Sequence, residues 1–466
     1  MRLLFLTLML TFISSVQATV WKVGPTRTYT VPSKVAALVN SGDTVDIDAG
    51  VYVSDVCAWT DNNLLLRGIN GMAHLKANGS SFGDKAIWVI QGNNITIEYV
   101  EFSQAASTSA NGAGIRQEGK NVSLRHCYFH DNQNGILSAA VLASKITIEY
   151  CEFNLNGSGD GYTHNVYIGA VDTLLFRYNY SHHSKVGHEL KTRAVVNYIL
   201  YNRFSNETTG TGSYNIDVPN GGLAIIMGNV VQKGVNSTNS NLISYGVEAL
   251  TSAGPHNLYL INNTLVNERS NGTFLNIQTG TALFKSYNNI FAGNGTLFTG
   301  NLITVDTAGN KKLAGASAGF LNLAGYDYHL IAGSAAINVG VNAGNASNGF
   351  ALSPLFEYAH PAAQNTRMAN GALDAGAYEL AGIVSLKNES KITTIRFYVA
   401  KDILTVSSPE EIESAKIVTV EGKLIYQSDK SFTVKSLSTA EWTPGIYVIT
   451  AYSKQGQRFT NKFIIP

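Results

Sequence analysis

Over most of the first 300 residues, apolar and polar side chains alternate with a period of two. The pattern is clearest in "ITIEYVEF" from Ile95, "VSLRHCYF" from Val122, "ITIEYCEF" from Ile146, "TLLFRYNY" from Thr173 and "NYILYNRF" from Asn197. It continues in "AIIMGNVV" from Ala224, "LYLINNTL" from Leu258 and "LFKSYNNI" from Leu283. Alternation of this kind predicts strands. The segments align on one column: Val100, Cys127, Cys151, Asn179, Asn202, Asn229, Asn263 and Asn289, with steps of 27, 24, 28, 23, 27, 34 and 26 residues. Steps of this size mark a solenoid, a propeller or an array. No helical period separates the strands, which excludes helical and leucine-rich arrays. The steps are also too short for four-stranded propeller blades.

The column of asparagines selects stacked coils. In a parallel β-helix each coil lies about 4.8 Å from the next. An asparagine amide both donates and accepts, so stacked copies can bond along the axis, and asparagine tolerates left-handed turn geometry. A second strand column follows in each coil: "AGIRQ" at Ala113, "NGIL" at Asn134, "HNVYIG" at His164, "HELKTR" at His188, "YNIDVP" at Tyr214 and "NLISY" at Asn241. Ile115, Ile136, Val166, Leu190, Ile216 and Ile243 are expected to point inward. Cys127 and Cys151 share a column and are expected to stack as small core residues rather than form a disulfide.

Composition narrows the function classes. Net charge is +1 and only 14% of residues are charged, against roughly 25% in an average globular protein. No basic run favours nucleic acid. Three cysteines make a poor disulfide framework. Arg2, the apolar stretch Leu3–Ile13 and Val16-Gln17-Ala18 read as a secretory signal peptide over residues 1–18, too short to span a bilayer. The mature chain is expected to be exported, soluble and monomeric.

These repeats resemble a right-handed parallel β-helix of the pectate-lyase superfamily, an all-β fold. The solenoid is expected over residues 19–382, with "YDYHLIAGSAAINVG" and "RMANGALDAGAYEL" similar to the closing coils of bacterial members. From residue 383 the texture changes to short alternating strands with turns at "EGK", "TPG" and "KQGQ", a β-sandwich pattern. Residues 383–466 resemble the C-terminal sorting domain of the type IX secretion system. The resemblance rests on Gly422-Lys423-Leu424-Ile425, Pro444-Gly445-Ile446-Tyr447-Val448 and Lys462-Phe463-Ile464-Ile465. It implies a Bacteroidota-type bacterium, outer-membrane secretion machinery as partner, and release or surface attachment.

Within this charge-poor chain, "KVGHELKTR" from Lys185 concentrates ionisable groups. Strand alternation places Asn165, Glu189 and Asn215 outward in one column and Tyr167, Lys191 and Asp217 in the next, with Arg193 beside them. His164 and His188 head their strands in register. Arg116 and Gln117 lie on an earlier coil and extend the face. His182, His183 and Lys185 lead into it, and Glu207 sits in a polar loop that could close over it. A uronate polysaccharide suits such a face. Its carboxylate must be neutralised by cations or calcium while a base removes the C5 proton. Lys191 and Arg193 supply cations. His164, His188 and Tyr167 supply proton-transfer groups. Asn165, Glu189, Asn215, Asp217, His183 and Arg116 are expected to bind substrate.

Asn165, Glu189 and Arg193 also match, in order, the site of the chondroitinase B and alginate lyase family. That resemblance would make Asn165 and Glu189 calcium ligands. The family's second acid has no counterpart, however, and Lys191 stands where an ammonium could replace the ion. The family's second catalytic arginine is also absent from "YNIDVPNGG". The expected activity is β-elimination on an acidic polysaccharide. The competing readings are a C5-epimerase, a glycoside hydrolase and a non-catalytic glycan-binding β-helix.

Overall fold

The computed structural model describes residues 18–314, 319–380, 396–400, 403–419, 422–428, 430–454 and 458–465. The signal peptide expected at residues 1–18 lies outside these, save Ala18. The chain divides into two compact units, residues 1–383 and 384–466.

The first unit is a parallel β-helix, each regular coil contributing three strands. Among the described residues, the first strands form a ten-stranded sheet, which includes Val166–Ile168, Leu190–Thr192 and Ile216–Val218. The second and third strands lie together in a sheet of twenty-one. Neighbouring strands along the solenoid pair in parallel, with a register shift between Asp48 and Gly50 where Thr44–Val53 meets Leu65–Lys76; further along, Leu174 opposes Asn197, which opposes Ala224. Inward residues pack one above another. Phe102, Phe129, Phe153, Phe176 and Phe204 form a continuous internal stack with ring centroids 5.0–6.1 Å apart. Ile115, Ile136, Val166, Leu190, Ile216 and Ile243 are all buried, as the alternation predicts. Cys127 and Cys151 are free thiols in the core, with the Cys127 amide 3.5 Å from the Cys151 sulfur.

The asparagine column forms a buried ladder. Each side-chain amide donates to the next carbonyl, from Asn179 through Asn202, Asn229, Asn263 and Asn289 to Asn310, at 2.9–3.1 Å. The left-handed turn residue is not the asparagine but the one before it: Tyr99, His126, Tyr150, Tyr178 and Tyr201 have φ of 51–60°. Bulky residues are strained there. Their rings stack up the outside of the turn, with centroids 4.8–5.7 Å apart, and this offsets the strain.

The parallel stack does not close with further regular coils. After Lys311–Leu313 come two antiparallel hairpins, Phe320–Asn322 with Asp327–Leu330 and Phe356–Ala359 with Ala363–Thr366. The segment between them runs back along the coils. Ser347 donates its amide to the Tyr259 hydroxyl, Leu355 to the Tyr201 hydroxyl, and the Phe356 ring meets Tyr178. "RMANGALDAGAYEL" pins this return through a buried ion pair, Arg367 Nη2 to Glu379 Oε1 at 2.6 Å.

The second unit is an antiparallel sheet of six strands around the long strand Ile403–Thr419. Leu404, Val406, Ile417, Tyr447 and Ile449 form its core.

Candidate active site

The outer face of the ten-stranded sheet carries the chemistry. Register pairs Tyr167 with Lys191, Lys191 with Asp217 and Asp217 with Ser244, so these four form one outward column. Their inward neighbours Val166, Leu190, Ile216 and Ile243 hold the backbone in the core. Arg193 lies just past the end of its strand and turns back over the column. Its Nε donates to the Tyr167 hydroxyl at 2.8 Å, and its Nη1 to Asn220 Oδ1 at 2.5 Å.

Glu248 completes the group. It sits on the loop after Asn241–Tyr245, with its side chain 44% exposed. Oε1 accepts from Lys191 Nζ at 2.7 Å and Oε2 from Arg193 Nη2 at 2.6 Å. One carboxylate thus bridges both cations. The Lys191 ammonium and the Arg193 guanidinium also lie 5.7 and 5.8 Å from the centre of the Tyr167 ring.

Asp217 lies beneath this bridge. One oxygen is 3.6 Å from Lys191 Nζ and 3.6 Å from His188 Nε2. The other has no hydrogen-bond partner among the described residues. Burial pushes its pKa up to about 6, with Lys191 holding it back.

His164 and His188 stack with centroids 4.5 Å apart. They cap the starts of adjacent strands: the His188 amide donates to His164 Nδ1 at 3.0 Å, and the Tyr214 amide to His188 Nδ1 at 3.3 Å. Burial lowers the pKa of His164 to about 3 and that of His188 well below its ordinary value. Both rings are therefore neutral near pH 7. With Nδ1 accepting, the proton of each neutral ring sits on Nε2, and His188 Nε2 stands 3.6 Å from Asp217, outside hydrogen-bond reach. The expectation that His164 and His188 serve as proton-transfer groups is corrected: both are buried neutral rings whose Nδ1 lone pairs are taken up by backbone amides.

The outward column Asn165–Glu189–Asn215 is also corrected. These residues precede their strands, where alternation does not apply, and their side chains are fully buried. Glu189 accepts four hydrogen bonds, from Asn165 Nδ2, Ser181 Oγ, the Ser184 amide and Asn206 Nδ2. It joins two amide ladders, one running Asn132–Asn156–Asn165 and one reaching Asn215 through Asn206. Burial pushes the Glu189 pKa up to about 7, while its hydrogen bonds and Lys233 oppose the shift. The Lys233 pKa is itself lowered to about 7 by its own burial. Enclosed and fully bonded, Asn165 and Glu189 do not present ligands to a calcium ion arriving from solvent. None of the three reaches substrate.

His183 contacts His182 at 2.7 Å and lies 3.9 Å from Glu207, on the turn after the third strand rather than in the Tyr167–Lys191 group. Arg116 does lie in the outward column, two coils before Tyr167, beside Glu118 at 3.7 Å. Glu248 and Asn220 escaped the sequence reading. Both lie on irregular loops outside the aligned columns, and no repeat signal marks them.

Cavities elsewhere on the solenoid hold other side chains. One of about 750 Å³ is lined by Val266, Glu268, Arg269 and Tyr326, and one of about 490 Å³ by Tyr180, Arg203, Glu207 and His360. The Lys191 group lies on the outer face of the ten-stranded sheet, apart from these two cavities.

Comparison with known proteins identifies the tail. Residues 400–466 match the secretion system C-terminal sorting domain. The chain is therefore exported across the outer membrane by the type IX system, to be released or held at the cell surface. Among solved structures, a pectin methylesterase variant in complex with a hexasaccharide is 12% identical, over 47% of this chain and 80% of that one, with a TM-score of 0.34. Pectin methylesterase from Erwinia chrysanthemi is 13% identical, over 52% and 92%, with a TM-score of 0.33. A PL6 family alginate lyase is 10% identical, over 78% and 58%, with a TM-score of 0.26. No curated protein sequence matches the chain.

Proposed function

We propose that this exported β-helix cleaves a uronate-containing polysaccharide by β-elimination on the outer face of its ten-stranded sheet. The observation that carries the proposal is the Glu248 carboxylate held between Lys191 and Arg193 at 2.7 and 2.6 Å. It occupies the position a substrate carboxylate would take on displacing it. Two cations at that carboxylate stabilise the enolate-like charge that develops when C5 loses its proton.

Tyr167 is the proton-transfer group. Its hydroxyl oxygen accepts the Arg193 Nε–H at 2.8 Å, which holds it over the column, and it acts in its deprotonated form. The phenolate takes the C5 proton. The electron pair forms the C4=C5 double bond as the C4–O bond breaks, and the leaving 4-oxygen takes the proton back from Tyr167. Asp217 positions Lys191 from below at 3.6 Å.

The test is ultraviolet absorbance during incubation with pectate, alginate, glucuronan and chondroitin, with and without calcium. The expected result is a rise with one polymer, reduced at least ~100-fold in rate by Lys191→Ala or Arg193→Ala. In Glu248→Gln, polymer binding should tighten, because the internal competitor has lost its charge. New reducing ends without absorbance would instead support hydrolysis by the carboxyls of Asp217 and Glu248, which both approach Lys191. Binding with no product from any polymer would support a glycan-binding role.

A further inference from the structure

A second cluster of ionisable groups lies on a different sheet, on three successive coils near the start of the solenoid. His74, Glu101 and His130 project outward from the strands Leu65–Lys76, Val100–Ser103 and Tyr128–His130. Register pairs His74 with Glu101 and places His130 opposite Ser103, two positions further along the third coil. The intervening residues Ala73, Leu75, Phe102 and Phe129 are buried and fix the backbones. The three ligand-type atoms lie within 4.8 Å of one another. The side chains are only 19–24% exposed, so they are partly desolvated yet reachable.

The hydrogen bonds around the cluster orient it. Asp131 accepts from His130 Nδ1 at 2.9 Å. A carboxylate can only accept there, so Nδ1 carries the proton. His130 Nε2 faces Glu101 Oε1, 3.0 Å away, and in the neutral ring it turns a lone pair toward it. Two electron-rich atoms at that distance need a cation or a proton between them. His74 approaches the same oxygen with Nδ1 at 3.4 Å, while its Nε2 lies 2.7 Å from the Ser103 hydroxyl, which can accept its proton. Each imidazole is thus held from its far side, with its near nitrogen facing one carboxylate oxygen. A polar partner on the far nitrogen is the usual support for a metal-bound histidine. Asp131 is itself steadied by Lys185 at 3.4 Å.

We propose that His74 Nδ1, Glu101 and His130 Nε2 form a binding site for a divalent transition-metal ion of the zinc type. Two nitrogens and one carboxylate oxygen are the donor set for such an ion, whereas calcium and magnesium take oxygen ligands. A tetrahedral ion with bonds of ~2.0–2.2 Å needs ligand atoms ~3.3–3.5 Å apart. The Glu101–His130 and Glu101–His74 edges, 3.0 and 3.4 Å, are already close to that. Water fills the outward position. The ion would also tie three coils together, because each ligand comes from a different one.

The test is equilibrium dialysis of the full chain against zinc alone, compared with His130→Ala and Glu101→Gln. These side chains face outward, and circular dichroism checks that each variant is folded. The expected result is one more equivalent bound by the unsubstituted chain than by either variant, or at least tenfold weaker binding in both. Cobalt in place of zinc should give visible absorption bands that His130→Ala abolishes. Other histidines, such as His182 and His183, contribute equally to all three proteins and cancel. Absence of binding by the unsubstituted chain, or equal binding by all three, would overturn the proposal. The second result would mean that zinc sits elsewhere and that a proton joins His130 to Glu101.

Discussion

Asp217 links burial to pH at the scale of a single residue. Its pKa is raised from 3.8 to about 6, chiefly because burial disfavours the charged form. The folded chain therefore holds this proton more tightly than the unfolded chain does. The resulting stabilisation is fully present below pH 4 and is lost as pH rises through about 6. Asp217→Asn keeps the shape without the charge. Its stability relative to the parent should be nearly unchanged at pH 4 and should improve by up to ~3 kcal/mol at pH 8, since one pKa unit corresponds to about 1.4 kcal/mol. Thermal melts of both proteins at the two pH values check this. An equal gap at both would show that the Asp217 carboxyl is not perturbed in the folded chain. Asp217 and Lys191 could be placed from the sequence because both sit within strands, where alternation fixes the face. Glu189 could not. It stands one residue before its strand, at a turn, and there the backbone sends it inward.

At the scale of elements, the asparagine ladder is the repeating support of the solenoid. Asn229 donates its side-chain amide to the Asn263 and Ile199 carbonyls and accepts from Asn202. Removing it leaves buried donors and acceptors on two neighbouring coils without partners, at about 1–3 kcal/mol for each such group. Asn229→Ala should therefore lower stability by roughly 2–5 kcal/mol, read as a shift in the denaturant midpoint. Asn310→Ala, at the half-buried end of the ladder, should cost clearly less. Equal losses would mean that the ladder is not cooperative along its length. The ladder was legible because it recurs at one place in each coil. The αL position was misplaced by one residue, because asparagine is a usual occupant of that geometry, whereas here the residue before the ladder takes it: a stacked tyrosine or histidine in the earlier coils, and Gly228, Asn262 and Asn288 in the later ones.

At the scale of the whole molecule, the solenoid and the tail are separate units with separate cores. Deleting residues 384–466 should leave the melting temperature of the solenoid unchanged and stop its appearance outside the outer membrane. Cell fractionation of a type IX-secreting host, with a melt of the purified truncated chain, would check both halves. A drop of many degrees would show that the solenoid depends on the tail for stability.

Legible from the order of residues alone were the coil, its inward face, the asparagine ladder, the outward column of Tyr167, Lys191 and Asp217, and the nature of the tail. Each is a repeating or contiguous pattern, and side-chain alternation or a local motif carries it. Folding in three dimensions was needed to show that Glu248 returns from a loop to bridge Lys191 and Arg193, and that the segment after Leu313 doubles back along the tyrosine stack. It alone also decided that His74, Glu101 and His130 converge. Those contacts join residues 27 to 57 positions apart, or more, through loops and diagonal neighbours that follow no period. Their partners are set by where the stacked coils bring the chain in space.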